Sequence, residues 1–477
     1  IPTAERTFPA GAYELELTGL PFKCYCHVVG PFTVGASDGE THIEFDEETT
    51  LTLGLRSFHE HPAATVTTTE DPYDLLRAVS TFGSALKTTS PERSWPTLRG
   101  HPPLLEHGEE LSVPDGLEPP DTDVHLEVPP TLGHIYRVTP LAYYLGAPVR
   151  AGTDPVLVAD GTELDLREDG DLDEGIRRTF ERAFFLDCIV RTEGLYELDL
   201  YERSALDDDL PFDPATVYEQ SLAEQLRMYA QVPYTFIEPV APEWPLCSDV
   251  QATPETISYL PFAANRLSQV RIADEVEAGT VAEETEAPEL GTFFRGEQHG
   301  IARDGIASDT PEWDDLDFFR PPEAQATTHA WVGDGYPLGT AKTNPDAIRR
   351  RLDRTVDDSG PITVQLVCND EAMEDETAGE LYGLRDLLEF DISVDHDMTT
   401  EEFRELCHED IDFLHYIGHV DKGGIVCADG SLDLRTLDST GIRAFLLNAC
   451  HSYQQGEALV NAGADGGIVT LSRVFND

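Results

Sequence analysis

IDFLHYIGHVDKGGIVCADGSLDLRTLDSTGIRAFLLNACHSY, from Ile411 to Tyr453, decides how the C-terminal part of this chain folds. It holds two apolar runs, each closing on a short string with a potentially reactive side chain. The first string is HYIGH (His415 to His419) and the second is LLNACHSY (Leu446 to Tyr453). A short apolar run bounded by glycine and polar residues reads as a strand buried on both faces. His419 and Cys450 stand 31 positions apart, enough for one crossover between parallel strands.

The flanking sequence has the same texture. ITVQLVCND (Ile362 to Asp370), DISVDH (Asp391 to His396) and GGIVTLS (Gly466 to Ser472) are further strand-like runs. Thr377, Leu381, Leu384 and Leu388 recur at helical spacing, and Thr399-Thr400-Glu401-Glu402 predicts a helix start. There a threonine cap and early acids suit the helix dipole. Strand alternating with helix predicts right-handed βαβ units: a mostly parallel sheet with helices on both faces.

Upstream, YELEL, KCYCHVV, HIEF, TLTLGL and ATVTT are short strand-like runs between Pro9 and Thr69. With a helix opened by Asp71-Pro72 and carrying Leu75, Val79, Phe82 and Leu86, they predict a β-rich, sandwich-like domain over 1–100. Residues 101–130, rich in Pro, Glu and Asp, read as a linker. A mixed α/β module is expected over 131–273. One of its helices bears Ile176, Phe180, Ala183 and Phe184. Another, begun by Asp213-Pro214, carries Tyr218, Leu222, Leu226 and Tyr229. Residues 274–330 read as an acidic linker and irregular region, Asp274 to Leu290 being low-complexity. The final domain is expected over 331–477.

Composition bounds the environment. Acids outnumber bases 91 to 32 for a formal charge of −59, and the only lysines are Lys23, Lys87, Lys342 and Lys422. Self-repulsion of this size is tolerated where concentrated salt shortens the Debye length to a few Å. A lysine-poor acidic chain resembles the halophilic proteins of salt-accumulating haloarchaea. A hydrophobic content of 40% argues against an acidic disordered chain. Nothing here neutralises phosphates, so nucleic acid is not an expected partner. No apolar run is long enough to span a bilayer, and no membrane association is expected. Eight scattered cysteines lack the pattern of a disulfide framework, which predicts a cytoplasmic protein. The chain begins with isoleucine, and its native N-terminus is expected to lie upstream.

In open parallel sheets, reactive groups collect beyond the carboxyl ends of the strands. His419 falls just past one predicted strand and Cys450 at the end of the next. If those strands are neighbours, roughly 4.8 Å apart, imidazole and thiol converge on one cleft. The imidazole and the N-terminus of the helix after Cys450 would both favour the thiolate. Backbone N–H groups at Gly418, Val420 and Cys450 are the expected oxyanion donors.

These residues resemble the CHAT family of caspase-like cysteine peptidases. A strand ending in GH, a strand ending in an AC-type cysteine, the AGA segment (Ala462 to Ala464) and GGIVTL carry the resemblance. It covers about a quarter of the chain, Pro361 to Asp477. It implies a caspase-like α/β sandwich and a cysteine endopeptidase in which His419 is the general base and Cys450 the nucleophile. Its substrate would be a protein or peptide. Upstream modules would sense, dock a regulatory protein partner or autoinhibit. No cofactor is expected. Caspase-like peptidases often require a charged residue before the cut, so Asp421 or Asp429 is expected to receive a basic side chain. Two departures stand out. Val420 occupies a position that is commonly glycine in the family, and the family domain continues with another helix and strand where this chain ends at Asp477. The domain is therefore expected to be shortened at its C-terminal end. The alternative to a peptidase is a non-catalytic caspase-like scaffold or interaction protein, and an acyl transferase would use the same dyad.

Other motifs read as structural. His415 shares a strand face with His419 but stands roughly 13 Å away, which predicts a core or supporting role. His451 reads as a surface residue at a helix start. Cys24, Cys26 and His27 lack a partner ligand pair, so the cysteines are expected on one strand face. Asp169, Asp171 and Asp173 mimic a calcium loop that fails at Glu174 and Phe180. Gly335 to Gly339 with Lys342-Thr343 lacks the spacing of a phosphate loop. No metal site is predicted.

Overall fold

A computed structural model describes residues 6–273, 318–354, 360–369 and 390–471, apart from short stretches at 18–19, 21, 38–39, 46, 57–60, 195–197 and 207–209. The helix expected around Thr377 to Leu388 and the acidic run from Asp274 lie outside the described residues. The chain forms two compact units, 1–242 with 263–267 and 243–262 with 268–477. It combines β-rich N-terminal sheets with mixed α/β structure that includes a parallel sheet. Among the described residues, no helix is long and apolar enough to cross a membrane.

The first unit opens with two three-stranded antiparallel sheets. One orders Arg6–Phe8, Phe32–Ser37 and Glu40–Phe45; the other orders Ala12–Leu17, Lys23–Val29 and Leu51–Arg56. Period-two burial along Lys23–Val29 sends Cys24, Cys26 and Val28 inward. The register sets Cys24 between Leu17 and Leu55, and Cys26 between Leu15 and Leu53. The two cysteines thus fill one apolar face, as expected of same-face strand residues.

Asp71 caps the Pro72–Ser80 helix by accepting from Tyr73 N–H at 2.9 Å. That helix stops at Ser80, and Phe82 lies in a separate 3-10 turn. The stretch read as a linker is more structured than expected. Its Leu104–His107 strand pairs in parallel with Thr65–Thr68, and Leu104 and Leu105 are buried. A four-stranded sheet follows, ordered Val149–Ala151, Val124–Val128, Val156–Ala159 and Thr162–Asp165. The single helix expected after Asp213 is two, Pro214–Tyr218 and Leu222–Tyr229. Ser221 takes an extended conformation and restarts the second with a capping box to Glu224. Asp171, from the failed calcium loop, caps the Leu172–Val190 helix, and Asp173 accepts from Arg137 Nε at 2.6 Å. At the centre, the fully buried Arg93 places Nη2 2.7 and 2.8 Å from the two oxygens of buried Asp187. Tyr144 and Tyr229 donate their hydroxyls to the same carboxylate.

Besides a parallel pair of short strands, Phe318–Phe319 with Tyr336–Pro337, the second unit holds two larger parallel sheets. The smaller orders Gln269–Ile272, Trp244–Val250, Ala326–Val332 and Ala341–Lys342. The larger orders Phe390–His396, Ile362–Cys368, Ile411–Ile417, Ile442–Asn448 and Gly466–Val469. The chain passes from Ile362–Cys368 to one neighbour and then to the other, so strand order reverses beside Ile411–Ile417. Thr399 caps the Thr400–Leu406 helix, as predicted, and a reciprocal box with Glu402 completes the cap. Val367, Leu414, Tyr416, Phe445 and Leu447 from the middle strands pack with Phe403 and Leu459 from helices. Near-continuous apolar strands need cover on both faces, and this core provides it.

Candidate active site

The strand of His419 and the strand of Cys450 are neighbours. They run parallel, with Ile417 opposite Asn448. Gly418 N–H donates to the Asn448 carbonyl at 3.3 Å and extends the ladder by one residue. His419 and Cys450 each follow the Ile417–Asn448 pair by two positions, so both leave the sheet at the same carboxyl edge. Adjacent strands lie roughly 4.8 Å apart, within reach of two converging side chains. His419 is exposed and Cys450 partly exposed.

Local packing explains the GH string. A Cβ at Gly418 would lie 2.6 Å from the Tyr416 hydroxyl, so glycine alone passes there. Tyr416 is fully buried, and its hydroxyl lies 2.9 Å from the Val426 carbonyl and 3.0 Å from that of His419. Val426 N–H also donates to the His419 carbonyl at 3.0 Å. The main chain of His419 is therefore held by a strand side chain and by the Val420–Asp421/Gly424–Cys427 hairpin.

That hairpin sorts the expected oxyanion donors. His419 and Val426 form a hydrogen-bonded pair, so the next pair, Val420 with Ile425, is non-hydrogen-bonded. Val420 N–H consequently points away from the hairpin. The Gly418 amide instead donates to the Asn448 carbonyl. The Val420 side chain packs against the core cluster.

Cys450 sits where strand turns sharply into helix. His451 adopts φ +56°, a left-handed conformation uncommon outside glycine, and is partly exposed. Buried Ser452 secures the turn by donating to the Leu447 carbonyl at 3.0 Å and accepting from Thr470 N–H at 3.0 Å. The Tyr453–Ala462 helix then begins, with its positive end beside the turn. Glu457 anchors that helix, accepting from Tyr336 Oη at 2.7 Å and Lys342 Nζ at 2.8 Å. At Gly456 a Cβ would meet Val469 at 2.3 Å, so the helix lies close on the sheet.

His415 is 3% exposed, and burial pushes its imidazole down to about 4. It is a neutral core residue at physiological pH. Asp421 accepts from Gly423 N–H at 2.8 Å and Ser431 Oγ at 2.7 Å. Asp429 accepts from Thr400 N–H at 2.7 Å at a helix start. Both carboxylates are exposed but already shape the hairpin and its neighbour. Sequence reasoning missed Asn369, which donates to the Val426 carbonyl at 3.1 Å and accepts from Met398 N–H at 3.0 Å. It ties three segments together at this edge, and an asparagine after a strand carries no local signal of that role. His396 also ends a strand here, opposite Cys368. It stands three strands from Cys450, roughly 14 Å away.

A second polar cluster was equally invisible in the sequence, because its members are far apart in the chain. Cys247, Asp249 and His329 bring potential metal-ligand atoms within 4.8 Å of one another. The Arg271 guanidinium meets Asp249 at 2.7 and 2.9 Å and reaches His329 Nε2 at 3.3 Å. His329 Nε2 lies 2.8 Å from Asp249, a hydrogen-bond spacing. A cation would have to displace the arginine, so these residues act as a charge network.

Compared with known proteins, the chain matches no family model, no curated protein and no solved structure.

Proposed function

We propose that this chain is a caspase-like cysteine endopeptidase with Cys450 as nucleophile and His419 as general base. One observation carries the reading: the register of Ile417 with Asn448 brings the GH and AC strand ends to one edge. His419 accepts the Cys450 proton, and the thiolate attacks the scissile carbonyl carbon. Backbone N–H groups of Val420 and Cys450 hold the oxyanion of the tetrahedral intermediate. Its collapse breaks the C–N bond, and the leaving amine takes the proton from His419. Water, deprotonated by His419, then hydrolyses the thioester, releasing the acid and restoring the thiol.

The substrate is a peptide or protein chain, and the exposed carboxylates of Asp421 and Asp429 favour a basic residue before the cut. None of the eight cysteines forms a disulfide, which suits a reducing, salt-rich cytoplasm. The upstream unit supplies docking or regulation. The alternative is a non-catalytic caspase-like scaffold, for which Val420, in a position commonly glycine in that family, speaks; its side chain packs against the core cluster.

The test is turnover of labelled basic peptides in concentrated KCl by the native chain, Cys450→Ala and His419→Ala. Turnover is expected only from the native chain, and equal rates for native and Cys450→Ala would defeat the mechanism. A thiol-reactive probe adds a second readout. Burial pushes the Cys407 and Cys427 thiols up to about 12 and about 11, so Cys450 should label first.

A further inference from the structure

We infer that the first unit binds a small carboxylic acid with an aliphatic body, in the cavity where Arg182 and Thr179 meet a wall of leucines. This site is independent of the peptidase reading. The cavity of about 180 Å³ lies between the Val156–Ala159 and Thr162–Asp165 strands and the Leu172–Val190 and Leu222–Tyr229 helices. Leu157, Leu164, Ala183 and Leu226 supply its apolar side.

Arg182 is what makes this cavity a candidate. Two neighbours on its helix are ion-paired: Arg177 with Glu174 and Glu181, and Arg178 with Glu168 and Glu174. Among the described residues Arg182 has no carboxylate oxygen within 4.0 Å; its contact is a long one, Nη1 to the Val232 carbonyl at 3.3 Å. That leaves the Nε and Nη2 donors for a ligand. Burial lowers its affinity for the proton, and the charge of Glu168, which is itself ion-paired to Arg178, offsets this only in part. In a chain with 91 acids to 32 bases, a partly buried arginine that makes no direct ion pair among the described residues needs an explanation. A carboxylate would accept its forked donors in the planar geometry that arginine matches best.

The surroundings narrow the ligand. Thr179 lies three residues earlier on the same helix face and lines the same space, offering a hydroxyl donor. Asp165 also lines the cavity, but Arg167 binds it through Nε at 3.0 Å and Nη2 at 3.2 Å, which offsets its charge. The Tyr229 hydroxyl is directed at Asp187. The volume is below the roughly 300–1,000 Å³ of pockets for drug-sized molecules, so only an acid of a few carbons fits beside the leucines.

The experiment is thermal unfolding of the full chain in concentrated KCl, titrated with potassium butyrate, butyramide, phosphate or extra KCl. A saturable rise in Tm is expected with butyrate and not with the others. Arg182→Gln should abolish it, and Thr179→Val should weaken the apparent Kd about fivefold, the loss of one hydrogen bond. Should Arg182→Gln not fold, Arg182→Lys replaces it; that variant keeps the charge but loses the fork, and should weaken butyrate binding more than tenfold. No saturable response in the native chain, an undiminished response in the arginine variants, or an equal response to phosphate would overturn the assignment.

Discussion

Gly418→Ala should displace His419, the proposed general base, without touching its ring. The new Cβ would lie 2.6 Å from the Tyr416 hydroxyl and 2.9 Å from its ring carbon Cζ. That is about 0.9 Å inside the onset of ordinary contact. Tyr416 has nowhere simple to go, being fully buried with its hydroxyl against the carbonyls of His419 and Val426. Moving it costs about 1 kcal/mol for a lost hydrogen bond and about 1–3 kcal/mol for repacking. The expected destabilisation is about 2–4 kcal/mol, read by denaturant unfolding in concentrated KCl. A shift of His419 approaching 1 Å should lower kcat/KM about a hundredfold. Tyr416→Phe in the same background removes the clashing oxygen and should recover part of the stability, so the two changes should be less than additive. An alanine variant with native stability and native turnover would refute the claim that this glycine and tyrosine set the histidine.

Two further outcomes test other parts of the fold. Arg93→Met strands the buried Asp187 carboxylate and should cost about 3–5 kcal/mol in unfolding free energy, whereas Arg167→Met at the solvent-screened Asp165 pair should cost far less. His415, held near 4 against roughly 6.5 when unfolded, binds fewer protons in the folded state between those values. Stability from this residue is therefore fully present above about pH 6.5 and falls as pH drops toward 4, by about 3 kcal/mol in all. Comparing unfolding of native chain and His415→Gln across that range should show the slope weaken in the variant; parallel curves would contradict it.

Much of this was legible in advance because the information was local. KCYCHVV displays its inward face by alternation, Asp71-Pro72 and Thr399 to Glu402 carry their own caps, and IDFLHYI and AFLLN are buried strands by composition. Local reading failed where a local competitor intervened. Ser221 could cap a new helix, so the Tyr218 to Tyr229 face was split between two. It also failed at 101–130, where polar composition masked a strand whose partner lies some forty residues earlier.

By itself, the sequence determined the strands and caps and the placement of His419 and Cys450 at strand ends, since apolar periodicity and capping act over a few residues. Tertiary structure alone decided that those ends are neighbours, that the Gly418 amide is spent on Asn448, and that Val420 packs against the core. It also decided that Asn369 ties the edge together and that Arg182 faces a leucine-lined cavity. Each of those outcomes depends on a partner brought close by strand order or helix packing. Such partners are set by burial of the whole core, and no window of the sequence contains it.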